Sequence, residues 1–284
     1  MQESWEGQAP AKINLFLRVF ERLPDGYHRI QTAMVKLALA DDVRITKNSD
    51  SEIHVRVPQF PDLENETNLA CKAAKSYLDA IQDKTGLRIE ITKRIPIAGG
   101  LGGGSSDAAA VLRGLNQMFR AVKTDRLHQI AAKLGADVPF LLHDAAWALA
   151  TGIGDDLQAW ESLPPRPILL VNPGFPVSTK EVYEGSKRTE DWKPNRNSPK
   201  PRRPANWKEV LSLIGLGNDL QDVAEKIHPE IAEIRSQLRQ LGAEISQMSG
   251  SGGTLFGIFT NETDAVRARG KLAKRWKSWA TTTL

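Results

Sequence analysis

Residues 95–110 read IPIAGGLGGGSSDAAA, and the fold turns on how this stretch is interpreted. Five of the six residues 99–104 are glycine. Without Cβ atoms the backbone can come close to another group, and its N–H groups can converge on an anion. The stretch lies between an alternating run, Leu87–Ile95, that reads as a strand and a run rich in Ala, Leu and Met, AAAVLRGLNQMF, that reads as a helix capped by Ser106 or Asp107. A helix N-terminus carries roughly half a positive charge, so a strand, a glycine loop and a helix in this order suit a phosphate chain. A flexible linker is the ordinary use of glycine-rich sequence, but it has no place between a patterned strand and a capped helix. Two better-known phosphate loops are excluded. No Lys follows the glycines as a P-loop demands, and Ser105 stands where the dinucleotide fingerprint needs its third glycine.

Upstream, Ala11–Phe20 alternates as a strand with Lys12 and Asn14 on one face and Ile13, Leu15, Leu17 and Val19 on the other. A lysine in such a strand is by default an exposed edge residue. The strand ends at the turn Leu23-Pro24-Asp25-Gly26, followed by Tyr27 and His28. Short β-like runs follow near Asp42–Thr46 and Glu52–Val57. Thr67–Ile81 then reads as an amphipathic helix behind a Thr/Asn cap. Another helix, Asp125–Leu134, runs into Gly135-Ala136-Asp137-Val138-Pro139, where Asp137 reads first as a helix N-cap. Leu163-Pro-Pro-Arg-Pro reads as a linker and places a domain boundary near residue 160, giving domains 1–160 and 161–284. The second half runs β-α-β-β-α-β, the split βαβ order of ferredoxin-like domains, with Gly250-Ser251-Gly252-Gly253 as a hairpin turn. The fold class is α+β in two domains.

The chain has 284 residues, 40% hydrophobic and 25% charged, an ordinary globular composition. Cys71 is the only cysteine, which rules out an intramolecular disulfide and suits a reducing cytoplasm. The apolar runs are too short to span a bilayer, and MQESWEGQAP lacks the pattern of a signal peptide. These features together predict a cytoplasmic protein with no membrane partner. The five histidines and one cysteine show no metal-ligand spacing, and no G-x-S-x-G suggests a serine hydrolase. The net charge of +4 and pI near 9.1 hint at nucleic acid. The excess is peripheral, however. Gly185–Lys208, a Pro-rich segment expected to be a mobile loop, holds eight basic and two acidic residues. Asp264–Leu284 holds six and one, and the remainder is net acidic. No nucleic-acid partner is expected.

Taken together, these segments resemble the GHMP kinase superfamily. The resemblance rests on APAKINLFL (9–17), PIAGGLGGGSSDAAA (96–110) and MSGSGGTLFGIF (248–259). RLPDGYHRIQT, ETNLACKAA and LGADVPF narrow it to the branch acting on CDP-linked methylerythritol. The resemblance implies an N-terminal ribosomal-protein-S5-like domain and a C-terminal ferredoxin-like βαββαβ domain. It also implies ATP-dependent phosphorylation of the acceptor's 2-hydroxyl in non-mevalonate isoprenoid biosynthesis. By the same resemblance Asp137 is the catalytic base, and Lys12 is the catalytic lysine that keeps it ionised. Asn68 lies near the adenine and Pro96 belongs to the ATP site, while Gly99, Gly100, Leu101, Gly102, Gly103, Gly104, Ser105 and Ser106 bind the triphosphate. Tyr27, His28 and Tyr183 hold the cytosine, Asn14 and Thr179 line the acceptor pocket, and Gly250, Ser251, Gly252 and Gly253 close it. Mg²⁺ rides mainly on ATP oxygens and water, with Ser105 or Ser106 as the candidate protein contact and no protein-built metal site. The state is monomer or homodimer. A homoserine- or mevalonate-type kinase is the nearest rival, and the three aromatic rings argue against it.

Overall fold

The computed structural model describes residues 3–24, 26–186 and 201–284. Its strands are β1 (Ser4–Arg22), β2 (His28–Asn48), β3 (Ile53–Arg56), β4 (Gly86–Thr92), β5 (Trp147–Thr151), β6 (Asp156–Trp160), β7 (Pro167–Asn172), β8 (Ile245–Met248), β9 (Leu255–Ile258) and β10 (Lys277–Thr282). Its helices are α1 (Leu69–Ile81), α2 (Gly103–Phe119), α3 (Thr124–Leu134), α4 (Val138–Leu142), α5 (Thr179–Gly185), α6 (Trp207–Ile214), α7 (Gln221–Ile227), α8 (Pro229–Gln240) and α9 (Glu262–Leu272). The contacts group the chain into two units. One comprises Met1–Ala11, Leu39–Ile97 and Gly102–Asp144, and the other Lys12–Ala38, Ala98–Leu101 and Ala145–Leu284.

In the first unit β4 pairs antiparallel with the far part of β2, from Asp42 opposite Thr92 to Asn48 opposite Gly86, and parallel with β3. Buried Val43, Ile45, Leu87, Ile89 and Ile91 alternate with exposed Arg44, Arg88 and Glu90, the period of a sheet covered on one face. Helices α1 and α2 pack together in this unit, and Tyr77 Oη donates to Asn116 Oδ1 at 3.0 Å across them. The strand expected to reach Ile95 stops at Thr92, because Arg94 N and Ile95 N donate to the Asp41 carboxylate instead of a neighbouring strand. Helix α2 starts at Gly103 behind a left-handed Gly102, earlier than the expected cap at Ser106 or Asp107. Both side chains are used elsewhere: Ser106 Oγ donates to Pro10 O at 2.7 Å, and Asp107 receives Lys93.

In the second unit Thr32–Val35 of β2 pairs antiparallel with β5, and β5 with β6. Residues 32–37 of β2 are buried at every position, which is why no alternation marks this part of the strand in the sequence. A separate sheet runs β10-β7-β9-β8, antiparallel throughout, with α8 on β8 and β9 and α9 on β7 and β10. Leu169, Val171, Ile231, Ile234, Leu238, Met248, Leu255, Phe259 and Leu272 fill its core. This is the expected βαββαβ order. Residues 187–200 of the expected loop lie outside the described residues. Its far end is helical, since Asn206 Oδ1 accepts from Glu209 N and caps α6, placing Trp207 and Lys208 in a helix. Among the described residues no helix is long and apolar enough to cross a membrane.

Gly114 on α2 shows how tightly the first unit is packed. A Cβ there would lie 2.5 Å from Trp5 Cε3 and 2.8 Å from Ile45 Cδ1. Trp5 is itself anchored by Nε1 donating to Gln117 Oε1 at 2.7 Å. Gly114→Ala should therefore lower the thermal midpoint. The helix-propensity gain of about 1 kcal/mol is outweighed by an overpacking cost of about 1–3 kcal/mol. A raised midpoint would show that Trp5 moves aside freely.

Candidate active site

The second unit contains the first half of the glycine loop. Gly100 takes a left-handed φ of +74°, and a Cβ on it would meet Ser249 O at 2.5 Å and Gly252 O at 2.6 Å. Glycine is required there on both counts. Ala98 is also left-handed, at φ +54°, a strained conformation for a residue with a side chain. Ser249 Oγ donates to Gly100 O (3.1 Å), Thr254 N to Gly99 O (3.2 Å) and Lys12 N to Leu101 O (2.9 Å). Residues 99–101 of the glycine loop are thus stitched to both the Ser249–Thr254 loop and β1. The Gly250–Gly253 turn does join two antiparallel strands, and its carbonyls also form the wall that Gly100 packs against.

Lys12 is only 4% exposed and so is Asn14, which overturns the default reading of Lys12 as an exposed edge lysine. Burying an ammonium is costly unless polar groups replace its water. Lys12 Nζ donates to Asn14 Oδ1 at 2.8 Å, Asn14 Nδ2 to Thr32 Oγ1 at 2.9 Å, and the Thr32 hydroxyl to Phe16 O at 2.6 Å. Asn14 N donates to Ser249 Oγ at 3.3 Å. This chain of donors fixes which way the Asn14 amide faces. Gly250, at φ +60°, lies against the pair: a Cβ there would sit 3.2 Å from Asn14 Oδ1 and 3.7 Å from Lys12 Nζ. Thr32 and Ser249 were not singled out from sequence, where nothing in their local pattern distinguishes them.

Also in the second unit, His28 stacks on Tyr183 with ring centroids 5.2 Å apart and planes at 29°. Tyr27 is 59% exposed, so it is His28 whose ring lies on Tyr183. The Thr179 and Ser251 hydroxyls meet at 2.8 Å, and Gly252 faces Val177. A cleft of about 970 Å³ in this unit, lined by Arg18, Asn218, Asp219, Lys226, Arg235 and Gln247 among others, includes none of the residues singled out from sequence.

The first unit contains the rest. No side chain caps the first turn of α2, so its amides and helix dipole are directed at whatever sits there. Gly104 is exposed and Ser105 half-buried, whereas the Ser106 hydroxyl is committed to Pro10 O. The segment before Asp137 runs beside this turn, since a Cβ on Gly135 would lie 4.0 Å from Ser105 Oγ. Asp137 stands at the N-cap position of α4, but its side chain makes no cap hydrogen bond. The capping explanation for that carboxylate therefore fails. Asn68 does cap, with Oδ1 accepting from Ala70 N and Nδ2 donating to Leu63 O, each at 2.9 Å. One amide hydrogen and one lone pair remain for a ligand. Half-buried Pro96 begins the loop.

Beneath the loop, Lys93 Nζ reaches Asp41 Oδ2 at 2.5 Å and Asp107 Oδ2 at 2.7 Å. Burial favours a neutral Lys93, but the Asp107 and Asp41 carboxylates outweigh it and hold the ammonium above its usual value. Burial, reinforced by Asp41, pushes the Asp107 carboxyl up to about 7 against the pull of Lys93. Asp107 Oδ1 is buried without a hydrogen-bond partner. Among the described residues no group of three or more His, Cys, Asp or Glu could hold a metal ion.

Residues 68–145 match the family "GHMP kinases N terminal domain" and residues 202–278 match "GHMP kinases C terminal". The chain is 43% identical over 272 residues to the 4-diphosphocytidyl-2-C-methyl-D-erythritol kinase of Syntrophus aciditrophicus, covering 94% of each chain. It is 42% identical to the enzyme of that name from Syntrophotalea carbinolica, covering 96% of each. A crystal structure of a 4-(cytidine 5'-diphospho)-2C-methyl-D-erythritol kinase superposes with a TM-score of 0.82 at 36% identity, over 98% of this chain and 99% of that one. A homoserine kinase from Cytophaga hutchinsonii superposes at 0.69 with 18% identity, over 100% of this chain and 95% of that one, which shows the fold alone.

Asp107 gives a pH test. A carboxyl whose pKa is raised on folding keeps its proton in the native state where the unfolded chain has lost it, so its contribution to stability falls as pH rises from about 4 through 7. Asp107→Asn removes that dependence. The variant's thermal midpoint minus the wild type's should grow by several degrees between pH 5 and 8, at about 2–4 °C per kcal/mol. Parallel profiles for the two proteins would contradict the assignment.

Proposed function

The chain belongs to the 4-diphosphocytidyl-2-C-methyl-D-erythritol kinase family of GHMP kinases, and on that premise we propose how its residues carry the reaction. The reaction moves the γ-phosphoryl group of ATP to the 2-hydroxyl of 4-diphosphocytidyl-2-C-methyl-D-erythritol, in the methylerythritol phosphate route to isoprenoid precursors. The observation that carries the residue assignment is the buried Lys12–Asn14 pair set against the Gly250 main chain. A charged residue placed at such cost in an apolar strand is explained by a reacting oxygen that needs it.

A hydroxyl attacks phosphorus well only when its proton has an acceptor. Asp137 takes that proton as the new oxygen–phosphorus bond forms and the bond to the ADP oxygen breaks, a contribution of about 10²–10⁴-fold. Lys12 stabilises the negative charge growing on the attacking oxygen, and its ammonium is already aimed by Asn14. The uncapped first turn of α2 and the glycine main chain before it bind the triphosphate. Asn68 and Pro96 lie by the adenine and the start of that loop. Mg²⁺ carried by the donor would be met on the protein side by the half-buried Ser105 hydroxyl, and would neutralise phosphate charge there. Tyr27, His28 and Tyr183 recognise the cytosine by ring contact and hydrogen bonding, and Thr179 with Gly250–Gly253 shapes the acceptor pocket. A small aliphatic alcohol would leave those rings nothing to stack on.

The direct test is ATP consumption with the CDP-linked methylerythritol beside homoserine and mevalonate. Turnover should require the cytidine compound, and equal turnover with the small alcohols would overturn the reading. Asp137→Asn should cut turnover at least about 10²-fold with the KM for ATP nearly unchanged. Near-normal turnover would remove Asp137 from the mechanism. Tyr183→Ala should raise the KM for the acceptor far more than the KM for ATP, whereas equal shifts would argue against a role in holding the base.

A further inference from the structure

Strand β8 is one of the two outer strands of its sheet, and an outer strand exposes donors and acceptors that have no ladder partner. Here two buried side-chain amides act in place of the missing strand. Gln221 Oε1 accepts from Met248 N at 2.9 Å, while Asn218 Nδ2 donates to Met248 O at 3.0 Å and to Gly250 O at 2.8 Å. The other pole of Asn218 is fixed too, its Oδ1 accepting from Leu220 N at 3.0 Å. Its main chain is clamped to β1: Leu17 N donates to Gly217 O at 3.0 Å, and Asp219 N donates to Leu17 O at 2.9 Å. Asn218 is 8% exposed, so these bonds are shielded from water. One amide thus joins the strand that carries Lys12 and Asn14 to the loop that lies against them.

Gln221 and Asn218 differ in what they hold. Gln221 finishes the strand edge at Met248, and its Nε2 donates to Glu225 Oε1 at 2.9 Å on its own helix. Asn218 also holds the carbonyl of Gly250, whose α-carbon faces Asn14 Oδ1 and Lys12 Nζ. We propose that Asn218 is a positioning residue for phosphoryl transfer, fixing the Gly250 carbonyl and so setting the acceptor-side loop against Lys12 and Asn14. The proposal rests on the reading of Lys12 as the catalytic lysine. Its partners are neutral carbonyls and one amide, so it asks for a donor with two hydrogens at this position, which an aspartate of the same shape cannot supply.

The test compares Asn218→Asp with Gln221→Met. The aspartate keeps the acceptor for Leu220 N, loses both donations, and places a carboxylate against two carbonyl oxygens. Asn218→Ser serves if the aspartate variant does not fold. Either Asn218 variant should raise the KM for the cytidine acceptor at least about tenfold and lower kcat, with the KM for ATP within about twofold of wild type. Gln221→Met should lower the thermal midpoint and leave the kinetic constants within about twofold. Wild-type constants in a folded Asn218 variant would overturn the proposal. So would equal kinetic losses in the Gln221 and Asn218 variants, because finishing the strand edge would then be the whole role. Hydrogen exchange separates this from the functional reading, since it needs no substrate. Amides of residues 251–253 should exchange faster in Asn218→Asp while those of β9 stay protected. Unchanged exchange would overturn the proposal even if the wild type phosphorylates the acceptor. If the wild type does not phosphorylate it, the functional reading fails, and the exchange result alone decides the role of Asn218.

Discussion

The proposed site depends on a shortage of space at Gly100. Two carbonyl oxygens, of Ser249 and Gly252, stand where its Cβ would be, and its φ lies in the left-handed region. Because the main chains can meet there, Ser249 Oγ reaches Gly100 O while also accepting from Asn14 N. From Asn14 the order passes to Lys12 and Thr32. A side chain at residue 100 would push the Ser249–Thr254 loop away and release the hydroxyl that holds Asn14. The buried ammonium of Lys12 would then have lost part of the network that compensates its burial, a penalty of several kcal/mol for an uncompensated ion. Backbone sterics at one loop glycine thereby govern the electrostatics of a lysine in strand β1.

Lys93 in the first unit and Lys12 in the second, both with buried side chains, are put to different uses. Lys93 sits between two carboxylates that raise its proton affinity, so it is a permanent cation and a tie. It stands just past the end of β4, and its partner Asp107 is in the second turn of α2, so the ion pair closes the base of the intervening loop. Asp41 adds two main-chain hydrogen bonds at the same point. Removing one member of such a buried pair typically costs about 3–5 kcal/mol, which makes it a fastener for the loop's two ends. Lys12 is aimed by a side-chain amide that is itself aimed by a hydroxyl, an arrangement that fixes the direction of the ammonium. Directional control is what the role proposed for Lys12, meeting a transient charge on one oxygen, requires.

What could be read from the sequence was local. The strand, glycine loop and helix followed from composition and periodicity over some twenty residues, and the βαββαβ order from alternating patterns in the second half. Lys12 and Asn14 share one face because strand geometry alone places them there. The long-range bonds were not legible. Asn14 and Ser249 are 235 residues apart, and Asn218 reaches Gly250 across 32. Nothing in the neighbourhood of a serine or an asparagine reports such a partner. The same limit explains the misplaced start of α2. Ser106 and Asp107 have the chemistry of caps, but Pro10 O and Lys93 claim their side chains, and the glycines before them turn helical instead. The end of β4 was missed because its would-be ladder donors turn to Asp41.

Gly104 indicates function more directly than the glycines that geometry explains. Gly100 must be glycine for the protein's own sake. Gly104 has no left-handed φ, lies within α2, and among the described residues a Cβ on it would find only Leu69 Cδ1 within 4 Å, at 3.9 Å. Alanine would fit and would strengthen the helix by up to about 1 kcal/mol. Within the protein, then, this glycine is a small loss of stability with no structural return. It lies exposed in an uncapped first turn whose amides seek an acceptor, and a bare Cα lets a tetrahedral oxyanion come within hydrogen-bond reach of several of those amides at once. A residue that the fold does not need and a phosphate does is evidence for the phosphate. It is also independent of any resemblance, because it follows from the empty volume beside a single atom that is absent.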